Sequence, residues 1–410
     1  MIIADFHIHS KYSRATSKNM DVPNLVRWAH YKGINLLGTG DFTHHLWLEE
    51  LKQYLEPLED RGLFIYQGVY FVLSVEVSNI FSQNGRVYRI HNLIMVPNLK
   101  LAYEVNKMLS YYGNLTSDGR PTLGMSCKEL ASQLFKISQD IIFIPCHIWT
   151  PWFGLFGSNS GFNSLEEAFE EYTDKITALE TGLSSDPAMN WRLSKLDRFS
   201  LVSNSDSHSP HRIGREANVF NCELNFWQIK KVLEEKDRAK FLYTIEFFPE
   251  EGKYHYDGHR NCNVRLHPKE TIKYKGLCPK CGRPLTKGVL YRVEELADRE
   301  EDFIPPNAIG YKSLVPLDEI IAEARELNKE SKAVEKEYIN LVSEFGSEFN
   351  LLVNIDEKEL FSKLPYRIAE GIKRVREKRL NILPGFDGEY GKIKIFDEEE
   401  KKEDKQLTLF

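Results

Sequence analysis

The chain opens on an apolar run that leads directly into two histidines, His7 and His9. An apolar run followed by His-x-His predicts a β-strand, because alternate side chains leave a strand on the same face. Both imidazoles are therefore expected to point together at whatever lies beyond the carboxyl end of that strand. Imidazole is a common ligand of divalent metals, so this pattern predicts metal-dependent chemistry.

More histidines and carboxylates follow at the ends of other apolar runs. The residues that we assign as metal ligands are His7, His9, Asp41, His44, Glu76, His91, His147, Asp206 and His208. A set this large exceeds the needs of one ion and predicts two or three divalent ions, Zn, Mn or Mg, in the same centre. Clustered ions activate water and stabilise an in-line displacement at phosphorus. We therefore expect a multinuclear phosphoesterase, while Glu180 remains open as a ligand or as a hydrogen-bond acceptor behind one.

The elements that must position these residues alternate between short apolar runs and helical patterns over residues 1–225. Strands are predicted at residues 2–6, 35–38, 70–77, 91–96, 141–146, 178–180 and 201–204. Helices are predicted between several of them, for example at residues 22–31, 46–55 and 128–136. This alternation predicts an α/β barrel-like domain, in which chemistry sits at the carboxyl ends of the strands. His91 is the exception, because it begins its apolar run.

A second candidate metal site lies downstream. Four residues have zinc-ribbon spacing: His259, Cys262, Cys278 and Cys281. His255 and His267 are alternatives to the first of these ligands. A closed four-ligand site leaves no room for water, so we predict one structural zinc; a reduced thiol pair or a redox Cys-x-x-Cys are the alternatives. This zinc-binding module is placed at residues 251–290, after a connector at 226–250.

Several motifs resemble a known superfamily. Asp5-x-His7-x-His9, segment 39–44, Glu76, His91, His147 and Asp206-x-His208 are similar to the successive motifs of the polymerase and histidinol phosphatase (PHP) superfamily. The resemblance covers residues 1–225 and implies a distorted (β/α)7 barrel with a trinuclear metal centre. It implies one ion at His7, His9, Glu76 and Asp206, which would be the catalytic residues. It implies a second ion at Glu76, His91 and His147, and a third at His208 and a residue near Asp41.

The chain departs from that superfamily in two places. It reads Thr39-Gly40-Asp41 where the superfamily commonly has Thr-Asp-His, so we align Asp41 with the usual histidine and keep His44 as its neighbour. The histidine that usually follows the first motif is absent from segment 11–15. The third ion is therefore expected to be weak or differently coordinated.

Longer stretches resemble one family within this superfamily. Segments 38–44, 147–154, 204–208 and 384–391, together with the cysteine motif, are similar to endonuclease Q. The resemblance implies a DNA repair endonuclease that nicks on the 5′ side of deaminated bases (uracil, hypoxanthine, xanthine) and of abasic sites. Damaged duplex or single-stranded DNA would be its partner. The rival hypotheses are a small-molecule phosphatase of the histidinol-phosphate type and a non-catalytic relic barrel.

Aromatic and basic side chains supply candidate DNA contacts. The glycine-rich loop after His147 holds Trp149, Trp152 and Phe153, which would stack on an extruded base or, equally, pack as a lid. A mostly helical region at residues 291–395 contains a basic run. Its predicted phosphate contacts are Lys373, Arg374, Arg376 and Lys378. The alternative is a solvated charged face.

The last segment, residues 396–410, is a charged run that ends in Gln406, Leu409 and Phe410. These residues resemble a sliding-clamp-binding motif on a flexible tail, with a frayed terminus as the alternative. The net charge of −6 does not suggest a nucleic-acid binder, but buried acidic ligands contribute to that sum. No apolar run is long enough to span a bilayer and no signal-peptide pattern is present. With its cysteines reduced, the protein is expected in the cytoplasm, associated with the nucleoid and not with a membrane.

Overall fold

A computed structural model of the chain describes residues 1–397. The clamp-like residues Gln406, Leu409 and Phe410 lie outside this range. The strands are β1 (Ile2–Asp5), β2 (Leu36–Gly38), β3 (Glu56–Leu58), β4 (Leu63–Tyr66), β5 (Val69–Gln83), β6 (Arg86–Val96), β7 (Thr122–Leu123), β8 (Ile142–Pro145), β9 (Ala178–Glu180), β10 (Ser200–Val202), β11 (Ala217–Phe220), β12 (Phe241–Glu246), β13 (Asp257–His259), β14 (Val264–Leu266), β15 (Gly310–Ser313), β16 (Asn381–Leu383) and β17 (Lys392–Lys394).

Helices alternate with these strands and then dominate the carboxyl-terminal third. They are α1 (Val22–Lys32), α2 (His45–Tyr54), α3 (Leu99–Leu109), α4 (Cys127–Ile137), α5 (Leu165–Phe169), α6 (Pro187–Trp191), α7 (Phe226–Glu235), α8 (Pro268–Lys273), α9 (Val289–Leu296), α10 (Leu317–Arg325), α11 (Lys332–Phe345), α12 (Glu357–Lys363) and α13 (Tyr366–Arg376). Local chemistry sets their ends. Asp21 accepts from the backbone N–H of Asn24 at the start of α1, and Gly33 ends that helix at a φ of 84°.

The central sheet is mixed. Strands β1, β2 and β5 are parallel neighbours, whereas β6 is antiparallel to both β5 and β8. The parallel pair β9–β10 is separate, but hydrogen bonds join it to both ends of this path. Phe6 N donates to Asn204 Oδ1 on one side, and Ile148 N donates to the carbonyl of Glu180 on the other. The predicted α/β fold is confirmed, and closure into seven strands stays a prediction.

The direction of β6 explains the exceptional position of His91. Because β6 runs antiparallel to β5, its amino-terminal half lies beside the carboxyl-terminal half of β5, and His91 pairs with Ser78. Its side chain therefore reaches the edge where parallel strands place their carboxyl ends. A ligand at the start of an apolar run is what an antiparallel strand requires.

The carboxyl-terminal helices share a continuous hydrophobic core with the strands, extending from Ile3 to Phe396. Helix α11 packs on α1, where the rings of Trp28 and Tyr338 are 5.8 Å apart. The predicted domain boundaries stay predictions. Within residues 1–397 no helix is long and apolar enough to cross a bilayer.

Candidate metal centre and its surroundings

Four predicted ligands converge at one edge of the sheet. His7 and His9 follow β1, Glu76 lies on β5, and Asp206 follows β10; their ligand atoms all lie within 4.8 Å of one another. His9 Nε2 is 3.2 Å from Glu76 Oε2 and 3.0 Å from Asp206 Oδ1. His7 Nε2 is 3.6 Å from each of the same two oxygens. Two imidazoles thus face two carboxylates across a space that is lined by nitrogen and oxygen atoms.

A second group shares Glu76 with the first. His91 Nδ1 is 2.5 Å from Glu76 Oε1, and His147 Nε2 is 3.1 Å from the same oxygen. The two oxygens of Glu76 are therefore divided between the groups, with Oε2 facing the first and Oε1 facing the second. This is the arrangement in which one carboxylate can bridge two ions.

Three of the assigned residues follow strands and have an unusual backbone conformation. Asp41, His147 and Asp206 all have positive φ, at 51°, 30° and 46°. Residues other than glycine rarely adopt a positive φ, and those that do concentrate at functional sites.

Hydrogen bonds behind the imidazoles set their orientation. Glu180 Oε2 lies 3.0 Å from His7 Nδ1, and Asp41 Oδ1 lies 3.3 Å from His9 Nδ1. Thr150 Oγ1 lies 2.6 Å from His147 Nδ1. Acceptors at Nδ1 hold the proton there and leave the Nε2 lone pair facing the shared space. Glu180, which the sequence left open as a ligand or an acceptor, contacts His7 from behind, accepts from the backbone N–H of His147 and also converges with His7 and Cys146.

Three predicted ligands lie beside these groups and not within them. Asp41 accepts from the backbone N–H and the hydroxyl of Ser10 at 2.7 and 2.6 Å, in addition to its contact with His9. The ring of His44 stacks on Tyr12 at 4.5 Å. His208 packs 4.4 Å from the ring of His9. The converging groups found among residues 1–397 include none of the three, so their role as ligands of a third ion stays a prediction.

The first group sets two imidazoles against two carboxylates, and one of these carboxylates has a strongly shifted pKa. Burial raises the pKa of Asp206, but the neighbouring His7 and His9 outweigh it and hold the pKa well below its usual range. His7 Nε2 is buried, faces both carboxylates and has no hydrogen-bond partner among the described residues. A divalent cation would satisfy this atom and both carboxylates together, so the residues fit such an ion.

The sequence did not suggest Arg120. Its guanidinium lies 3.1 Å from Glu76 Oε2, at the solvent side of the centre. Arg120 stands in a loop before β7 and follows no long apolar run, so no periodic signal marks it. It adds a fixed positive charge beside the carboxylate that the two groups share.

The predicted zinc ligands also come together. The ligand atoms of His259, Cys262, Cys278 and Cys281 lie within 4.8 Å of one another. The alternative His267 instead accepts from the backbone N–H of Lys269 at the start of α8. Burial raises the pKa of the Cys278 thiol, but the backbone N–H groups of Lys280 and Cys281 lower it to about 6. A thiolate-forming, closed set of this kind fits structural zinc.

The aromatic loop after His147 divides into two kinds of residue. Trp149 is 1% exposed and donates from Nε1 to Asn190 Oδ1 at 2.8 Å, so it packs inside the loop. The ring of Phe153 lies 4.4 Å from that of His91. Trp152 is 44% exposed and lines a cavity of about 810 Å³. Of the predicted stacking residues, Trp152 is the one that faces open space.

The basic residues near α13 contact the protein itself. Arg376 donates to the carbonyls of Leu351, Leu352 and Ile355 at 2.7–2.8 Å, and so holds the π-helical turn Asn350–Asn354. The other three have partners as well: Lys373 pairs with Glu357, Arg374 with Glu370, and Lys378 lies over the ring of Tyr311. Their contacts with DNA stay a prediction.

Two solved structures are similar to the whole chain. It resembles the crystal structure of the lesion-specific endonuclease PfuEndoQ from Pyrococcus furiosus, with a TM-score of 0.87 and 34% identity over 100% of this chain and 99% of that one. It also resembles an endonuclease Q solved with a 27-mer duplex that has an abasic lesion at the active site, with a TM-score of 0.84, 34% identity and 97% of both chains covered.

Sequence comparisons add a family model and an uncharacterized relative. A family model described as the MJ0043 C-terminal domain matches residues 316–379, which contain α10 to α13. The uncharacterized protein MJ0043 of Methanocaldococcus jannaschii is 36% identical over 256 residues, 60% of this chain but 31% of that longer protein. The match to PfuEndoQ along its whole length, together with the two histidine and carboxylate groups, shows that the chain belongs to the endonuclease Q family and is a metal-dependent phosphodiesterase.

Proposed function

We propose that this protein is a DNA repair endonuclease that hydrolyses the phosphodiester on the 5′ side of deaminated bases and of abasic sites. The observation that carries the proposal is Glu76 shared between two ligand groups, in a chain that matches endonuclease Q over its full length. The relative solved with an abasic lesion at its active site supports duplex DNA as the partner.

The cavity beside the centre supports recognition of an extruded nucleotide. Thr150, which contacts His147 Nδ1, and Arg215, which donates to the carbonyl of Ser205, both line it. A nucleotide whose 5′ phosphate lies at the metal ligands could therefore place its base in this space. Enzymes that act on a single base take it out of the stack into such a pocket.

The lining of the cavity includes donors for the carbonyl of a deaminated base, beside the carboxylates of Glu251 and Glu319. Deamination replaces an exocyclic amino donor by a carbonyl acceptor, so a selective pocket needs donors at that position. Arg215 and Lys253 line the cavity and are donors only. His255 also lines it, and its buried Nδ1 has no hydrogen-bond partner among residues 1–397. Uracil, hypoxanthine and xanthine each carry the carbonyl that these donors would bind.

The protein's own residues divide the remaining work. His7, His9, Glu76 and Asp206 would hold one ion, and Glu76, His91 and His147 a second; when bound, such ions activate water and stabilise charge on the phosphate. Glu180 and Asp41 hold protons at His7 Nδ1 and His9 Nδ1. Arg120 is available to a phosphate oxygen, because its guanidinium can exchange Glu76 for the substrate.

A cleavage panel tests the proposal. Duplexes carrying uracil, hypoxanthine, xanthine or an abasic site should be nicked on the 5′ side of the lesion, and the unmodified duplex should stay intact. Chelation should stop the reaction and added metal should restore it. Hydrolysis of a phosphomonoester without cleavage of any lesion-containing duplex would support the phosphatase hypothesis and end this one.

The partner proposal includes a sliding clamp, bound through Gln406, Leu409 and Phe410. It rests on the sequence pattern of that segment. A chain that lacks residues 406–410 should lose clamp binding in a pull-down and still nick DNA; unchanged clamp affinity would exclude this partner site.

A further inference from the structure

A hairpin near the end of the described chain packs against residues 250–256, where the zinc-binding module begins. Strands β16 and β17 pair antiparallel and are joined by residues 384–391, here called the tip segment. Gly385 N donates to the carbonyl of Glu250 at 2.8 Å, and Gly388 N donates to that of Lys253 at 2.9 Å. Tyr256 N donates in return to the carbonyl of Gly385. Backbone hydrogen bonds thus hold the tip segment along its length.

Glycines make this close approach possible. A Cβ at Gly385 would lie 2.4 Å from the carbonyl oxygen of Gly252, and one at Gly391 would lie 2.0 Å from that of Glu250. Both distances are below any van der Waals contact, and both neighbours are backbone atoms that cannot turn away. The segment therefore lies against residues 250–252 without slack.

The tip segment is also tied to the zinc-binding module. Asp387 Oδ2 accepts from the backbone N–H of Arg260 at 2.7 Å, and its Oδ1 accepts from Thr286 Oγ1 at 2.6 Å. Phe386 is buried beneath the guanidinium of Arg265, 4.8 Å from its ring centroid. Arg260 lies between two zinc ligands in the sequence, so the module that the metal stiffens also positions the tip.

One aromatic residue of this held segment points into solvent. Tyr390 is 72% exposed, although the glycine that follows it packs closely against the carbonyl of Glu250. It lies at the rim of the 810 Å³ cavity, on the wall formed by Lys253, Tyr254 and Gly391. The ammonium of Lys253 is 5.7 Å from its ring centroid. A large aromatic ring kept in water by a stiff support has not buried its apolar surface, and such a ring is suited to stacking on a partner.

We infer that Tyr390 enters the DNA stack in the gap that the extruded nucleotide leaves, so that the tip segment acts as a wedge carried by the zinc-binding module. The inference rests on the proposed function. A nucleotide with its base in the cavity leaves its former neighbours unstacked, and an aromatic ring at the cavity rim replaces the lost stacking. The wedge acts on stacked duplex and has no corresponding task on a single strand.

The test compares uracil in a duplex with uracil in the same sequence as a single strand. In single-turnover reactions, Tyr390→Ala should slow duplex nicking by about 10- to 100-fold and single-strand nicking by less than about twofold, because only the duplex needs its stack repaired. Tyr390→Phe, which keeps the ring, should behave like the unaltered protein. Tyr103→Ala, an exposed tyrosine on α3 that is not part of the cavity lining, is the matched control.

A second measurement is independent of cleavage. With 2-aminopurine next to the lesion and Glu76→Gln to prevent cutting, the bound duplex should fluoresce less when Tyr390 is present, because its ring stacks on the probe, than in Tyr390→Ala, where the probe faces an unfilled gap. If the protein does not cut the single strand, the fluorescence measurement alone tests the wedge. Equal loss on both substrates, or duplex nicking unchanged by Tyr390→Ala, would overturn the wedge. Absence of nicking by the unaltered protein would instead remove the proposed function.

Discussion

The two candidate metal sites of this protein are built in opposite ways. The ligands of the zinc-binding module lie close along the chain, since Cys281 and His259 are 22 positions apart and their ligand atoms are 3.3 Å apart. In the candidate metal centre of the predicted barrel, His9 and Asp206 approach to 3.0 Å from positions 197 residues apart. Cys281 is exposed, whereas Glu76 is completely buried.

The difference teaches where each site obtains its geometry. A short β-hairpin and a tight turn suffice to bring four zinc ligands together, and the metal then stabilises the fold around itself. The candidate metal centre of the predicted barrel is positioned by packed strands, and acceptors such as Glu180 and Asp41 orient its imidazoles. A closed four-ligand site suits a structural ion, whereas a site that leaves a position for water or substrate suits a catalytic ion.

The largest effect should come from Glu76→Gln. Both ligand groups share this carboxylate, so the change should reduce nicking by about a thousandfold or more. Metal analysis should show loss of barrel ions while the zinc at Cys278 and Cys281 is retained. Glu216→Gln, a buried glutamate outside the converging groups found in residues 1–397, is the matched control and should keep activity. Full metal content and activity in Glu76→Gln would contradict the shared-ligand arrangement.

The reverse experiment is Cys281→Ser. It should release the structural zinc, leave the barrel ions in place and lower duplex nicking by about tenfold to a hundredfold, because zinc binding and folding of the module are coupled. Metal content and nicking rate measured on the same sample check both parts. Cys222→Ser, a half-buried cysteine outside both sites, should change neither. Loss of barrel ions in Cys281→Ser would show that the sites are not independent.

The smallest effect should come from Glu180→Gln. The amide can no longer stabilise the His7 imidazole by charge, so metal affinity should fall by about 10- to 100-fold with little change in the rate at saturating metal. A metal titration of the nicking rate measures this directly. A rate that stays low at every metal concentration would assign Glu180 a direct part in the chemistry.

Particular residues show how far the sequence could lead. The spacing of Cys278 and Cys281 predicted their proximity, because two intervening residues allow little else. His-x-His after an apolar run predicted the shared direction of His7 and His9. Arg120 could not be found this way, since nothing in its neighbours marks a loop that folds back over Glu76. Nor could the sequence separate the buried Trp149 from the exposed Trp152, because both lie in the same glycine-rich loop.

The amino-acid sequence by itself determined which donor atoms this protein has and how the nearest of them are spaced, because bond lengths and strand or turn geometry govern residues a few positions apart. Only the tertiary structure decided that Glu76 offers one oxygen to each group, that Asp41 supports His9, and that Arg376 holds a helical turn. Those relations depend on the packing of strands and helices distant along the chain, where local geometry exerts no constraint and the shared hydrophobic core does.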